Sequence, residues 1–235
     1  MNTAPNHSPI QPRSPQGEFQ NEPFTNFKTP ENARAMQAAL DAVASQLGRE
    51  YDLIVAGQHR KTQDKILSIN PARPAQVVGV HQKATAGLAD EVMAAALHAF
   101  ESWSRTSVQQ RASLLLSAAQ IIRGRKFEFC AWLTYEVGKN WAEADADVGE
   151  TLDFLEFYAR EALRLAASVP PIQYPGERDE LLYIPLGVGA VIPPWNFPFA
   201  IMAGMTAASI VSGNTVILKP SSDAPTIAAK FMEVL

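Results

Sequence analysis

The sequence predicts an α/β fold in which a helical N-terminal segment leads into the first strands and helices of a parallel sheet. Three observations predict it. Residues 87–167 carry apolar residues at helical spacing almost without a break. Two short runs rich in small and β-branched residues, GVGAVI at 187–192 and TVIL at 215–218, have the length of strands. Each run is followed by a helical pattern, and strand–helix–strand–helix order is how a parallel sheet begins.

The elements follow in order. Residues 1–22 are rich in Pro, Asn, Ser and Gln and have almost no apolar periodicity, so they read as a mobile tail. A first helix has Thr29 as N-cap, Pro30 at its first position and Gly48 just past its end, with Met36, Leu40, Val43 and Leu47 as its apolar stripe. Extended pieces are expected at 51–55, 65–69 and 76–80, punctuated by Asn70-Pro71 and Arg73-Pro74. One helix then runs from Gly87 to near Trp103. A second opens at Thr106 with Gln109 as capping partner and a stripe of Val108, Ala112, Leu115, Ala119 and Ile122. A third spans 126–137 and stops at Gly138. A fourth spans 142–167, with Val148, Leu152, Leu155, Ala159 and Ala162 on one face, and ends at Pro170-Pro171. Residues 182–184 look extended and 187–192 look like a buried strand. An apolar helix covers 198–211 with Gly213 beyond it, a strand covers 215–218, and a last helix starts at Ala224. The expected organisation is a tail at 1–22, a helical and short-strand part at 23–185, and the first two strand–helix units of the sheet at 186–235.

Composition excludes several functions. Of 235 residues, 47% are hydrophobic and 19% charged, an ordinary globular balance. Lys plus Arg number 20 against 24 acidic residues, without the clustered basic excess expected of a nucleic-acid binder. The single cysteine, Cys130, rules out an intramolecular disulfide framework, and four scattered histidines form no metal-binding pattern. The longest apolar stretch, 199–211, falls short of the ~20 residues that span a bilayer. The N-terminus lacks the basic-then-apolar order of a secretory signal, so a reducing cytoplasm is the expected setting.

Two stretches can carry chemistry. In VIPPWNFPF, 191–199, a strand ends in two prolines, then Trp195 and Asn196, then a proline opening a helix. Ligands of open α/β sheets bind outside the carboxyl ends of the strands, where Asn196 sits. Its amide can donate a hydrogen bond to a developing oxyanion, or it can merely shape a turn. In TVILKPSSDAP, 215–225, Lys219 stands at the end of the next strand on the same edge, placed to donate to a ribose or phosphate oxygen or simply to be solvated. The glycine fingerprint of the common dinucleotide fold is absent. Gly187 and Gly189 stand at the start of their strand rather than after it, and position 192 is Ile.

VIPPWNFPF followed about 16 residues on by TVILKPS resembles the aldehyde dehydrogenase superfamily. The likeness extends back through LLYIPLGVGAVI, EVGKNWAEADADV and SINPARPAQVVG, covering 24–235. The stretches EPFTNFKTPENARAMQAALDAV and EVGKNWAEADADVGETLDFLEFYAREAL are similar to the branch that oxidises L-glutamate γ-semialdehyde. The resemblance implies an aldehyde-dehydrogenase-like fold with a Rossmann-like sheet, incomplete here. It implies NAD as cofactor and a small aldehyde as substrate, with homo-oligomers expected for a longer form. It implies Asn196 as the oxyanion donor, with Ile192, Pro193, Pro194 and Trp195 along the nicotinamide cofactor. Lys219 would bond the adenosine ribose. Ser222 stands where NAD-specific members often carry Glu, and without that carboxylate a 2′-phosphate is not repelled, so NADP use stays open. Phe197 would line the substrate tunnel, and Glu150 lies near a substrate-proximal glutamate of this branch.

The superfamily reaction also needs a cysteine nucleophile and a glutamate base, both downstream of the Lys-Pro strand. Cys130, in KFEFCAWL, reads instead as a buried, inert thiol. The expectation is therefore an N-terminal part of a larger enzyme, inactive alone. The alternatives are a different aldehyde dehydrogenase, a non-catalytic cofactor-binding module, or an interaction fragment.

Overall fold

The computed structural model describes residues 18–167 and 171–235. Helix α1 (Pro30–Ala44) is followed by strands β1 (Arg49–Tyr51), β2 (Leu53–Val55), β3 (Gln58–Arg60), β4 (Lys65–Ile69) and β5 (Val77–Gln82). Four helices come next: α2 (Ala86–Trp103), α3 (Val108–Gly124), α4 (Lys126–Val137) and α5 (Trp141–Ala166). The chain closes with β6 (Val188–Val191), α6 (Ala200–Val211), β7 (Thr215–Leu218) and α7 (Pro225–Met232). The α/β class and the strand–helix–strand–helix order are as expected. Strands β6 and β7 pair in parallel, with Val188 opposite Thr215 and Val191 opposite Leu218.

The helical boundaries follow local chemistry. Helix α4 matches 126–137, because Gly138 adopts φ +70°, a left-handed stop that side-chain-bearing residues disfavour. Helix α5 opens with a capping box, Asn140 accepting from the Glu143 N–H while Glu143 reaches back to Asn140. Three expectations shift. Helix α1 ends at Ala44 rather than running to Gly48, whose N–H donates to Val78 O at 3.0 Å and begins the link to β1. The cap of α3 is Ser107, not Thr106, since the Ser107 hydroxyl is the group that accepts from the Gln110 N–H. The run 51–55 is broken at Asp52, and β2 pairs with β3 across Ala56 and Gly57, both at positive φ as a tight hairpin turn requires. Strand β3 is wholly exposed Gln-His-Arg and carries no apolar signal.

Other expectations are corrected by packing. The tail reading covered 1–22. Residues 1–17 lie outside the described residues, but the amide groups of Asn21 and Glu22 donate to Asp153, and Arg123 pairs with Glu22 and Glu156. Pro170 lies outside the described residues, and α5 ends at Ala166. Residues 182–184 form no strand, and Leu182, Tyr183 and Ile184 are exposed. Strand β6 is only partly buried. Among the described residues it pairs with β7 alone, so Val191 is buried while Ala190 is exposed.

The core joins the helical part to the strand–helix units. Trp132 and Phe129 of α4, Leu152 and Leu155 of α5, Met202 of α6 and Phe231 of α7 belong to one buried cluster. Helix α6 packs closely on α5 because Gly204 faces the Phe154 ring, where a Cβ would lie 2.8 Å from a ring carbon. Helix α2 reaches the sheet side through Thr215, whose hydroxyl donates to Ala96 O at 2.8 Å. No helix among the described residues is long and apolar enough to cross a membrane.

Buried His81 stacks on Tyr51 at 5.0 Å and hydrogen-bonds the Thr226 hydroxyl at 2.9 Å. Burial pushes its pKa down from 6.5 to about 4. The unfolded chain therefore binds a proton that the fold excludes, and stability falls as pH drops through that window. Between pH 7 and pH 4 the protein should lose about 2–3 kcal/mol more stability than its His81→Gln variant. Urea midpoints at both pH values read this difference. Equal losses would show that His81 does not titrate on unfolding.

Candidate functional site

The site begins where β6 ends. Residues 192–199 link Val191 to α6, and the Lys219 N–H donates to Val191 O at 2.9 Å. Ile192 and Lys219 therefore leave the two parallel strands side by side, at the carboxyl edge where sheets of this kind bind ligands.

The loop sorts its residues by burial. Pro193 and Pro198 are buried, while Pro194 and Asn196 are exposed. Ile192, Trp195 and Phe197 are 63%, 55% and 39% exposed. Phe199 is fully buried, stacked on Phe129 at 4.8 Å and edge-on to Phe231 at 5.6 Å. The prolines fix φ and Phe199 anchors the loop's exit, leaving Trp195 and Asn196 outside. The side-chain bond by which an Asn commonly shapes a turn is not made by Asn196. An Asn shapes a turn by accepting from the backbone N–H two residues on. That residue is Pro198, which has none, and the Asn196 side chain makes no hydrogen bond among the described residues.

Three residues that sequence reasoning missed hold these loops. Asp147 of α5 is fully buried. One carboxylate oxygen accepts from the Ala200 N–H at 2.7 Å and the other from Lys139 Nζ at 2.9 Å. Helix α6 has no cap from its own N-cap residue, Phe199, so Asp147 supplies it from another helix. The Lys139 ammonium also lies 3.7 Å from the centroid of the Phe197 ring. Glu136 of α4 does the same for α7, accepting from the Thr226 N–H at 2.6 Å, the Ile227 N–H at 2.7 Å and the Ser68 hydroxyl at 2.8 Å. Burial pushes both carboxyls above the ordinary range. For Asp147, Lys139 and the α6 amides pull the other way; for Glu136, Thr226, Ile227 and Ser68 do so. A signal was available for Asp147. Asp145 and Asp147 are two residues apart and so lie on opposite sides of the helix, flanking the stripe of Val148, Leu152 and Leu155. A single solvated face cannot hold both.

Glu150 lies on the exposed surface of α5, about one turn beyond Asp147. Partial burial and the charges of Asp147 and Asp153 raise its pKa, and Lys139 opposes them. Lys139 thus acts on both Glu150 and Phe197, the two candidate substrate residues. Lys219 and Ser222 are exposed in the segment between β7 and α7, and Lys219 has no ion-pair partner among the described residues. Exposed apolar side chains at 192 and 195, with a free cation at 219, fit a dinucleotide lying across the edge. Cys130 of α4 is fully buried, and its thiol is pushed up to about 12, mainly by burial. No group of three His, Cys, Asp or Glu side chains among the described residues is placed to hold a metal ion.

Residues 58–235 match the model of the aldehyde dehydrogenase family. The chain is 54% identical over 217 residues to the 1-pyrroline-5-carboxylate dehydrogenase of Geobacillus thermodenitrificans, covering 92% of this chain and 42% of the relative. The solved 1-pyrroline-5-carboxylate dehydrogenase from Thermus with bound NAD superposes with a TM-score of 0.90 at 46% identity, over 93% of this chain and 42% of that one. The NAD-bound enzyme of Mycobacterium tuberculosis superposes with a TM-score of 0.84 at 29% identity, over 93% of this chain and 41% of that one. The chain thus spans about 42% of the length of the Geobacillus and Thermus relatives. With the family model matching most of its residues, this chain belongs to the aldehyde dehydrogenase family.

Proposed function

We propose that this chain carries the oxyanion-donor and cofactor-edge part of a cytoplasmic enzyme that oxidises L-glutamate γ-semialdehyde to L-glutamate with NAD or NADP. The observation that carries the reading is Asn196, an exposed amide with no partner among the described residues, on a loop held at both ends at the carboxyl edge of a parallel sheet. The names of the Geobacillus, Thermus and Mycobacterium relatives support the choice of substrate, and the two NAD-bound structures support the cofactor. In this reading, residues 23–185 and 186–235 form parts of one cofactor-binding domain, and homo-oligomers belong to a longer form.

The bound nicotinamide would accept the hydride. The chain's own residues have simpler tasks. Asn196 Nδ2 donates to the carbonyl oxygen as negative charge develops there, a neutral donor whose position is set before the reaction. Ile192, Pro193, Pro194 and Trp195 give the cofactor an apolar wall. Lys219 donates to the adenosine ribose, and Ser222 leaves room for a 2′-phosphate. Phe197 shapes the substrate passage, and Glu150 places a carboxylate beside it. Cys130 takes no part, since its thiol is buried and protonated at neutral pH.

The test uses an enzyme joining this chain to the part of the Geobacillus relative that it does not span. Asn196→Ala should lower kcat about 10²–10³-fold with an unchanged melting temperature, as for loss of one oxyanion donor. Asn196→Asp should be at least as damaging. A lowered melt with normal kcat per folded molecule would mean that Asn196 is structural. In the same enzyme Ser222→Glu should weaken NADP far more than NAD, and Lys219→Ala should weaken both. An unchanged NADP-to-NAD ratio would place residue 222 away from the ribose. The 235-residue polypeptide alone should oxidise no aldehyde, and Cys130 should react with thiol reagents only on unfolding. Turnover by this polypeptide that survives Cys130→Ser would contradict the proposed chemistry.

A further inference from the structure

The loop that carries Asn196 is tied to the helical layer at one point. Asp147 accepts from the first N–H of α6 and from Lys139, and the Lys139 ammonium lies over the Phe197 ring. Asp147 is fully buried and has no second cation partner among the described residues, and Lys139 is only 9% exposed, so water screens the pair little. The chain of contacts runs from α5, through one carboxylate and one ammonium, to both residues that bracket the exit of the loop.

We propose that Asp147 and Lys139 are positioning residues for Asn196. They hold the backbone that carries its side chain by fixing the next residue, Phe197, and, three residues further on, the start of α6 at Ala200. This inference rests on the reading of Asn196 as an oxyanion donor, but its mechanical content stands apart from that reading. Asp147 acts on Ala200, and Lys139 on Phe197, both just after Asn196, whose side chain makes no hydrogen bond among the described residues. A rigid donor with no bond of its own needs its orientation set by its neighbours. A helix cap alone would require only the bond to Ala200. The cation over Phe197 is the feature that a cap does not need.

A control lies two residues away. Asp145 is also buried and bonded, accepting from the Thr25 N–H at 2.8 Å and the Thr25 hydroxyl at 2.6 Å and pairing with Lys126 at 2.8 Å, but it faces the N-terminal segment rather than the loop. The test is made on the 235-residue chain by nuclear magnetic resonance, so it does not depend on turnover. The Asn196 side-chain amide and the Trp195 indole are assigned through Asn196→Gln and Trp195→Phe. Asp147→Asn and Lys139→Met should each shift or broaden both signals. Asp145→Asn should leave them in place although it also lowers the melting temperature. Should Asp147→Asn fail to fold, Lys139→Met decides alone, since it keeps the Asp147 carboxyl that caps α6 and removes the ammonium over Phe197, with Asp145→Asn as the measure of what a stranded buried partner does by itself. Unmoved signals in Lys139→Met, or equal movement in Asp145→Asn, overturn the proposal. Failure of the oxyanion reading would appear separately, as normal kcat in Asn196→Ala.

Discussion

Two buried carboxylates fix the geometry on which the rest depends. Glu136 and Asp147 stand on neighbouring helices, and each meets the N-terminus of a helix leaving the parallel sheet. Neither α6 nor α7 is capped by its own N-cap side chain. The first amides of a helix have no partner within it, so inside a core they must be satisfied from elsewhere. A carboxylate does so with charge-assisted bonds and favourable alignment to the helix dipole. Burying it is costly, and for the Asp147–Lys139 pair removing one partner costs about 3–5 kcal/mol because the other charge is stranded.

The same arrangement connects packing to function. Each strand-to-helix segment of the carboxyl edge runs from a parallel strand to a helix held by a carboxylate. The first presents Trp195 and Asn196, and the second presents Lys219 and Ser222. Phe199 and the buried prolines hold the first segment from the apolar side, and Asp147 with Lys139 holds it from the polar side. In the proposed reading, what remains exposed is the part that a cofactor and an aldehyde would meet. On that reading the helical layer is the jig that sets the donor groups, although it contributes few of them itself.

Much of this was legible in the sequence because local rules and packing agreed. Gly138 stopped α4 where its left-handed conformation required, and β-branched TVIL formed β7 as read. The motif around Asn196 carried the family resemblance and lies at the expected edge. Two kinds of information were not legible. Strand β3 is polar throughout and is made by its hairpin turn, so no apolar pattern marks it. The buried acids Glu136, Asp145 and Asp147 sit in helices whose charged residues otherwise face water. Helical spacing hints that Asp145 and Asp147 cannot share one solvated face, but what each acid meets, the starts of α6 and α7 for Asp147 and Glu136 and the Thr25 segment for Asp145, is a long-range fact that periodicity does not contain. The anchoring of Asn21 and Glu22 is of the same kind, since Asp153 and Arg123 lie over 100 positions away.

Hydrogen exchange at the amides of Ala200, Thr226 and Ile227 tests this clamp most directly. First-turn amides ordinarily exchange quickly because no carbonyl receives them. If Asp147 and Glu136 hold α6 and α7, these three amides exchange as slowly as those in the interior of α6. Exchange as fast as at the exposed start of α2 would contradict the account.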